Sequence, residues 1–204
     1  MNEVGFEFNR EAESLRFGDY RCMVNGDEIY IADVSRPGNE VAITDRAERE
    51  YDAAFPATDM LHGRFGRKLK ILEVGPGLSS FGPKAVAYQV VSEYVICDPV
   101  NYHAIGALLE EVPRYFGLSR GAKKYLRELL TSVQIYTNPR LITHIPYTLE
   151  QALYSGQLGS GYDAILNFNA TAMYFSRDSE TDIRALLRPT PRPGTDDLYG
   201  YHMF

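Results

Sequence analysis

Gly75-Pro76-Gly77 follows directly on an apolar run (Leu69, Ile71, Leu72, Val74), and Asp98 closes a second apolar run over residues 94–97. The order is strand, glycine turn, helix, strand, acid. That order suits a nucleoside. Glycine lacks Cβ, so the backbone can turn sharply and lie close to a ligand. An acid about 20 residues further on can accept hydrogen bonds from both ribose hydroxyls. Taken singly, the glycines are a tight turn and Asp98 a cap or loop acid. Together, at this spacing, they point to nucleoside binding.

The wording Glu73-Val74-Gly75-Pro76-Gly77, followed by Leu78 and Ser79, resembles the first motif of class I S-adenosylmethionine-dependent methyltransferases, and Val95-Ile96-Cys97-Asp98 resembles the second. A dinucleotide site reads Gly-x-Gly-x-x-Gly/Ala, whereas Ser80 holds the last position here. The resemblance covers residues 67–204 and is specific over 73–77 plus Asp98. It implies S-adenosylmethionine as cofactor. Gly75 and Gly77 would run against the donor's amino-acid tail and ribose, with Pro76 stiffening the turn. Glu73 would take the donor's ammonium, directly or through water, or else hold the turn by accepting backbone N–H bonds. Asp98 would take the ribose, with Pro99 and Val100 on the adenine side.

The family's adenine-contacting stretch matches His144-Ile145-Pro146-Tyr147-Thr148, which lacks the usual Asp. Tyr147 either stacks on adenine or packs, and Thr148 is equally a helix cap. Asn167 and Asn169 follow the fourth strand, where ligands bind in doubly wound sheets and two amides can orient a polar acceptor. Asn169 is equally a turn residue. The proline-rich motif of amino-group methylators on DNA or protein is absent there. Methyl transfer asks mainly for in-line positioning. A base is needed only if the acceptor loses a proton. Of His62, His103, His144 and His202, His144 is nearest the expected pocket, and no pair has metal-ligand spacing. Asn169 and His144 are therefore the candidate catalytic residues, and no metal is expected. Tyr102, Tyr115, Tyr147, Tyr174 and Tyr201 would line an aromatic acceptor pocket or simply pack.

Positioning these residues requires alternating strands and helices. The expected strands are 70–74, 94–97, 141–145 (with 133–136 as the alternative), 164–168 and 198–203. The expected helices are 79–91, 102–112, 122–130, 148–154 and 183–187. This alternation argues for an α/β fold with a doubly wound, mostly parallel sheet. Residues 1–66 differ. A β-hairpin is expected over 20–31 around Asn25-Gly26, then a short strand over 41–44 and a helix over 45–52. The domains read as an extension or cap over 1–66 and a Rossmann-like domain over 67–204. The family's sheet has two further strands beyond the fifth, so the chain is either a truncated form or a minimal one.

The chain has 204 residues, 45% hydrophobic, with a formal charge of −6. That content supports a core without staples. The negative charge argues against a broad nucleic-acid face. Cys22 and Cys97 read as reduced, buried residues, and no leader or membrane-length apolar run is seen, so a cytoplasmic location is expected. The leading expectation is a methyltransferase acting on a small-molecule acceptor, with no membrane partner and with homo-oligomerisation open. The rivals are a non-catalytic nucleoside-binding module and an aminopropyl-type transferase, though no acidic diamine-binding pattern is evident.

Overall fold

Two glycine-aspartate turns set the register of the N-terminal sheet in the computed structural model, which describes residues 5–35, 38, 40–44, 62–63, 66–167, 185–186 and 202–203. Strands β1 (Phe6–Asn9), β2 (Ser14–Phe17), β3 (Tyr20–Asn25), β4 (Glu28–Asp33) and β5 (Val41–Ala42) form an antiparallel sheet in chain order. Phe17 pairs Tyr20 and Asn25 pairs Glu28, which leaves the two-residue loops Gly18-Asp19 and Gly26-Asp27. Gly18 has φ 58° and Gly26 φ 61°. A glycine at the first central position of such a loop matches the right-handed twist of the flanking strands. The expected hairpin is present, but its turn lies one residue later than Asn25-Gly26. Asn25 itself is a paired strand residue. Strands β1 and β2 were not expected. Their six-to-eight-residue spacing is short and Phe6, Phe8, Leu15 and Phe17 carry the only alternation.

Period-two alternation puts Leu15, Cys22 and Ile31 in register on one face, and all three are buried. Helices α2 (Tyr102–Tyr115) and α3 (Arg120–Tyr136) pack against β2, β3 and β4, and against each other. The contacts therefore group residues 1–46 with 101–137, and residues 47–100 with 138–204. The sequence division at residue 66 had put α2 and α3 with the second group. Residues 133–136, the alternative third strand, are the last turn of α3. Their apolar positions continue its buried stripe through Leu126, Leu129, Val133 and Tyr136.

The second group is built on β6 (Leu69–Val74), β7 (Val91–Cys97), β8 (Thr143–Ile145), β9 (Ala164–Asn167) and β10 (His202–Met203). All described pairs are parallel, in the order β10-β9-β6-β7-β8. Central β6 is buried at five of its six positions, Glu73 included, because a parallel strand is covered on both faces. Helix α1 (Phe81–Ala87) is shorter than the expected 79–91. It stops because Gln89 turns left-handed at φ 54°, which frees Val91 to start β7 three residues earlier than expected. Helix α4 (Leu149–Tyr154) begins in a capping box between Thr148 and Gln151, so Thr148 is its N-cap. The expected helix over 45–52 lies outside the described residues, as do Phe168 and most of 183–187 and 198–203. No described helix is long and apolar enough to cross a membrane.

Candidate functional site

Chain direction across the parallel sheet reverses at β6. From β6 the chain runs outward through β7 to β8, then returns to β9 on the other side. The crevice at the carboxyl ends of two strands flanking such a reversal is where open α/β sheets bind ligands. Register brings the relevant ends level. Val74 pairs Cys97 on one side and Asn167 on the other. The next residue is Gly75, whose N–H donates to Cys97 O at 2.9 Å and extends the ladder by one rung.

Beyond that rung the backbone turns. Gly75 has φ 60° and Gly77 φ 54°, a region that residues with Cβ rarely adopt. Gly77 N–H donates to Asp98 Oδ2 at 3.0 Å, and Val100 N–H donates to Asp98 Oδ1 at 3.0 Å. Asp98 is 3% exposed. One carboxylate thus ties the end of β7 to the glycine turn after β6 and shapes its own loop. Asp98 N–H donates to Ile145 O at 3.1 Å, and His144 Nε2 lies 2.7 Å from Asp98 O. A carbonyl only accepts, so Nε2 carries the proton. His144 therefore fixes the Asp98 peptide. A base at this position would have to work through Nδ1.

Glu73 is 0% exposed. Its carboxylate accepts from Tyr94 Oη and, at 3.3 Å, from Ser79 Oγ. Burial, aided by the charge of Asp98, raises its pKa from 4.5 to about 7, although both hydroxyl bonds oppose the rise. Its partners are side-chain hydroxyls rather than the backbone N–H groups expected of a turn-holding acid. Nothing in the sequence marked Tyr94 and Ser79 as its partners, because their convergence depends on the β6–β7 register. Cys97, one residue before Asp98, is buried, and its Sγ donates to Tyr147 O at 3.4 Å. Burial pushes the Cys97 thiol up to about 12, which leaves it protonated and unreactive.

Glu73, Gly75, Pro76, Gly77, Asp98, Pro99, His144 and Tyr147 are thus brought to one end of the sheet. Pro99 is exposed and Tyr147 is 39% exposed. Asn167 ends β9 beside Val74. Asn169, Tyr174 and Tyr201 lie outside the described residues. Tyr102 stacks on Tyr136 at 5.0 Å and Tyr115 packs on Phe8 at 5.3 Å, both within the first group. No cluster of His, Cys, Asp and Glu suited to a metal occurs among the described residues.

At the opposite end of β6, Arg67 Nη1 donates to Asp163 Oδ2 at 2.8 Å, and Lys70 N–H donates to the same oxygen at 2.8 Å. Asp163 precedes β9, so this buried acid locks the β6–β9 register that sets the crevice.

No family model matches the chain, and no curated protein matches it. Among solved structures, the fold is similar to that of spermidine synthase from Thermotoga maritima, with a TM-score of 0.51 and 16% identity. The likeness covers 92% of this chain and 55% of that one, so the chain spans about half the length of that enzyme. It establishes a Rossmann-like α/β fold.

Proposed function

We propose that the chain is an S-adenosylmethionine-dependent transferase that moves a methyl group to a small-molecule acceptor. The reading carries a doubly wound arrangement with it. The observation that supports it best is the Gly77–Asp98 hydrogen bond at the reversal point of a parallel sheet. The bond sets a positive-φ glycine turn and a buried acid side by side where a ribose would lie. Each Asp98 oxygen has a second lone pair, so the carboxylate can receive ribose hydroxyls while keeping the backbone bonds. Pro99 and Tyr147 offer flat surface for adenine, and Asn167 stands at the reacting end. Positioning supplies most of the rate for a sulfonium donor, so the site has to do little beyond orienting donor and acceptor.

The second reading is aminopropyl-type transfer. Its support is the fold shared with a protein described as a spermidine synthase. A titration of the full chain with S-adenosylmethionine and with its decarboxylated form separates the two donors. Gly77→Val is expected to abolish binding of either with the melting transition retained, because a β-branched residue is strained at φ 54° and fills ligand space. Normal binding by a folded Gly77→Val protein would remove the turn from the site. Donor binding without turnover across a metabolite-extract screen would favour a non-catalytic module.

A further inference from the structure

The alternation that buries Leu15 and Cys22 turns Glu7, Arg16 and Arg21 to the other face of the antiparallel sheet. Arg16 and Arg21 stand directly opposite each other on β2 and β3. Like charges in that relation repel unless an anion sits with them. They line a cleft of about 680 Å³ together with Arg10, Asn9, Glu7 and Glu11. That volume lies in the range of small-molecule sites. Its rim is built, since Asn9 Oδ1 accepts from Glu11 N–H at 3.0 Å and Ala12 N–H at 3.1 Å.

The two arginines are not equally engaged. Arg16 Nε donates to Gly18 O at 2.9 Å, and Glu7 faces Arg16 in register. Arg21 Nη2 pairs with Glu40, but Arg21 Nε is buried with no partner among the described residues. A buried guanidinium N–H without an acceptor is a rare arrangement and calls for an explanation. Nε–H and the Nη2 beside it form the edge that takes a carboxylate or phosphate through two parallel bonds, so a ligand there takes the place of Glu40 on Nη2. We propose that this cleft is a second ligand site, taking a small metabolite through a carboxylate or phosphate group held by Arg21, with Arg10 and Arg16 as the surrounding charge. Glu7 and Glu11 on the rim disfavour a polyanion, so the ligand carries one or two negative charges. The site lies among residues 7–21 and is independent of the donor reading.

Calorimetric titration of the full chain with inorganic phosphate and, separately, with succinate tests it. Saturable binding of either is expected, and which one binds identifies the group recognised. Arg21→Lys keeps the charge but loses the paired edge, and should weaken binding at least about tenfold with the melting transition unchanged. If Arg21→Lys does not fold, the exposed loop variant Arg10→Gln decides, with weaker binding expected. Absence of saturable binding by both anions overturns the proposal. So does wild-type affinity in Arg21→Lys, or in Arg10→Gln where that variant decides.

Discussion

The antiparallel sheet and the parallel sheet keep their registers by different means. In the first, Gly18-Asp19 and Gly26-Asp27 fix neighbouring strands through local turns. In the second, partners come from far apart: Asp163 ties down β6 across 93 residues of chain at Lys70, and Asp98 ties down the glycine turn across 21. Local turns build a scaffold from short-range information. Long-range polar ties place the ends of several strands level with each other, which a site requires.

The largest effect should come from removing the antiparallel sheet. From sequence, a chain starting near Gly66 is expected either to lose acceptor processing more than donor binding or, if residues 1–66 cover apolar surface, to be insoluble or unfolded. The helix packing favours the second outcome. Helices α2 and α3 pack on β2, β3 and β4, so deletion strips the cover from Ile105, Leu108, Leu126 and Leu129. Exposing that much apolar surface forfeits several kcal/mol at about 25 cal/mol per Å². The truncated chain should be insoluble or lack a cooperative melt by circular dichroism. A sharp melt near that of the full chain would show that residues 67–204 stand alone.

Legibility followed the same split. The Gly75–Gly77 turn, Asp98 and the strand on each side were readable because motif and hydrophobic run coincide in a short stretch. The β3–β4 hairpin was readable from its glycine, although the turn sits one residue on. What stayed hidden was non-local. Residues 133–136 read from sequence as an alternative third strand, and only packing, with Tyr136 stacked on Tyr102, makes them the end of α3. The partners of Glu73 depend on β6–β7 register, and the role of Asp163 depends on β6–β9 register. Helix α1 was drawn too long because the left-handed Gln89 carries no sequence signal.

A smaller effect should appear with pH. Glu73 has an unfolded pKa near 4.5 and a folded value of about 7, so the folded state binds the extra proton between those limits. Stability should therefore fall as pH rises from 4.5 to 7, by about 3 kcal/mol, and level off above. Glu73→Gln should flatten that slope in urea unfolding and be the more stable protein at pH 8. A slope unchanged in Glu73→Gln would assign it to other groups.

The smallest expected effect lies in the locally built region. Ser119 Oγ caps α3 by accepting from Ala122 N–H at 2.9 Å and donates to Asp27, the second residue of the β3–β4 turn. Asp27→Ala should cost about 0.5–1 kcal/mol in urea unfolding and leave donor binding untouched. Gly121→Ala should cost a similar amount, since its Cβ would fall on the Asp27 carboxylate. A loss above about 2 kcal/mol in Asp27→Ala would mean that the turn does more than cap a helix.

The central claim is that the Gly75–Gly77 turn and Asp98 form a nucleoside site for an S-adenosyl donor. Calorimetry of the full chain with S-adenosylmethionine, comparing wild type with Asp98→Ala, tests it most directly. The wild type should bind saturably and the variant at least about tenfold more weakly, the loss that follows from removing a charged acceptor. No saturable heat from the wild type up to about 1 mM donor, or equal affinity in a folded Asp98→Ala protein, would contradict it.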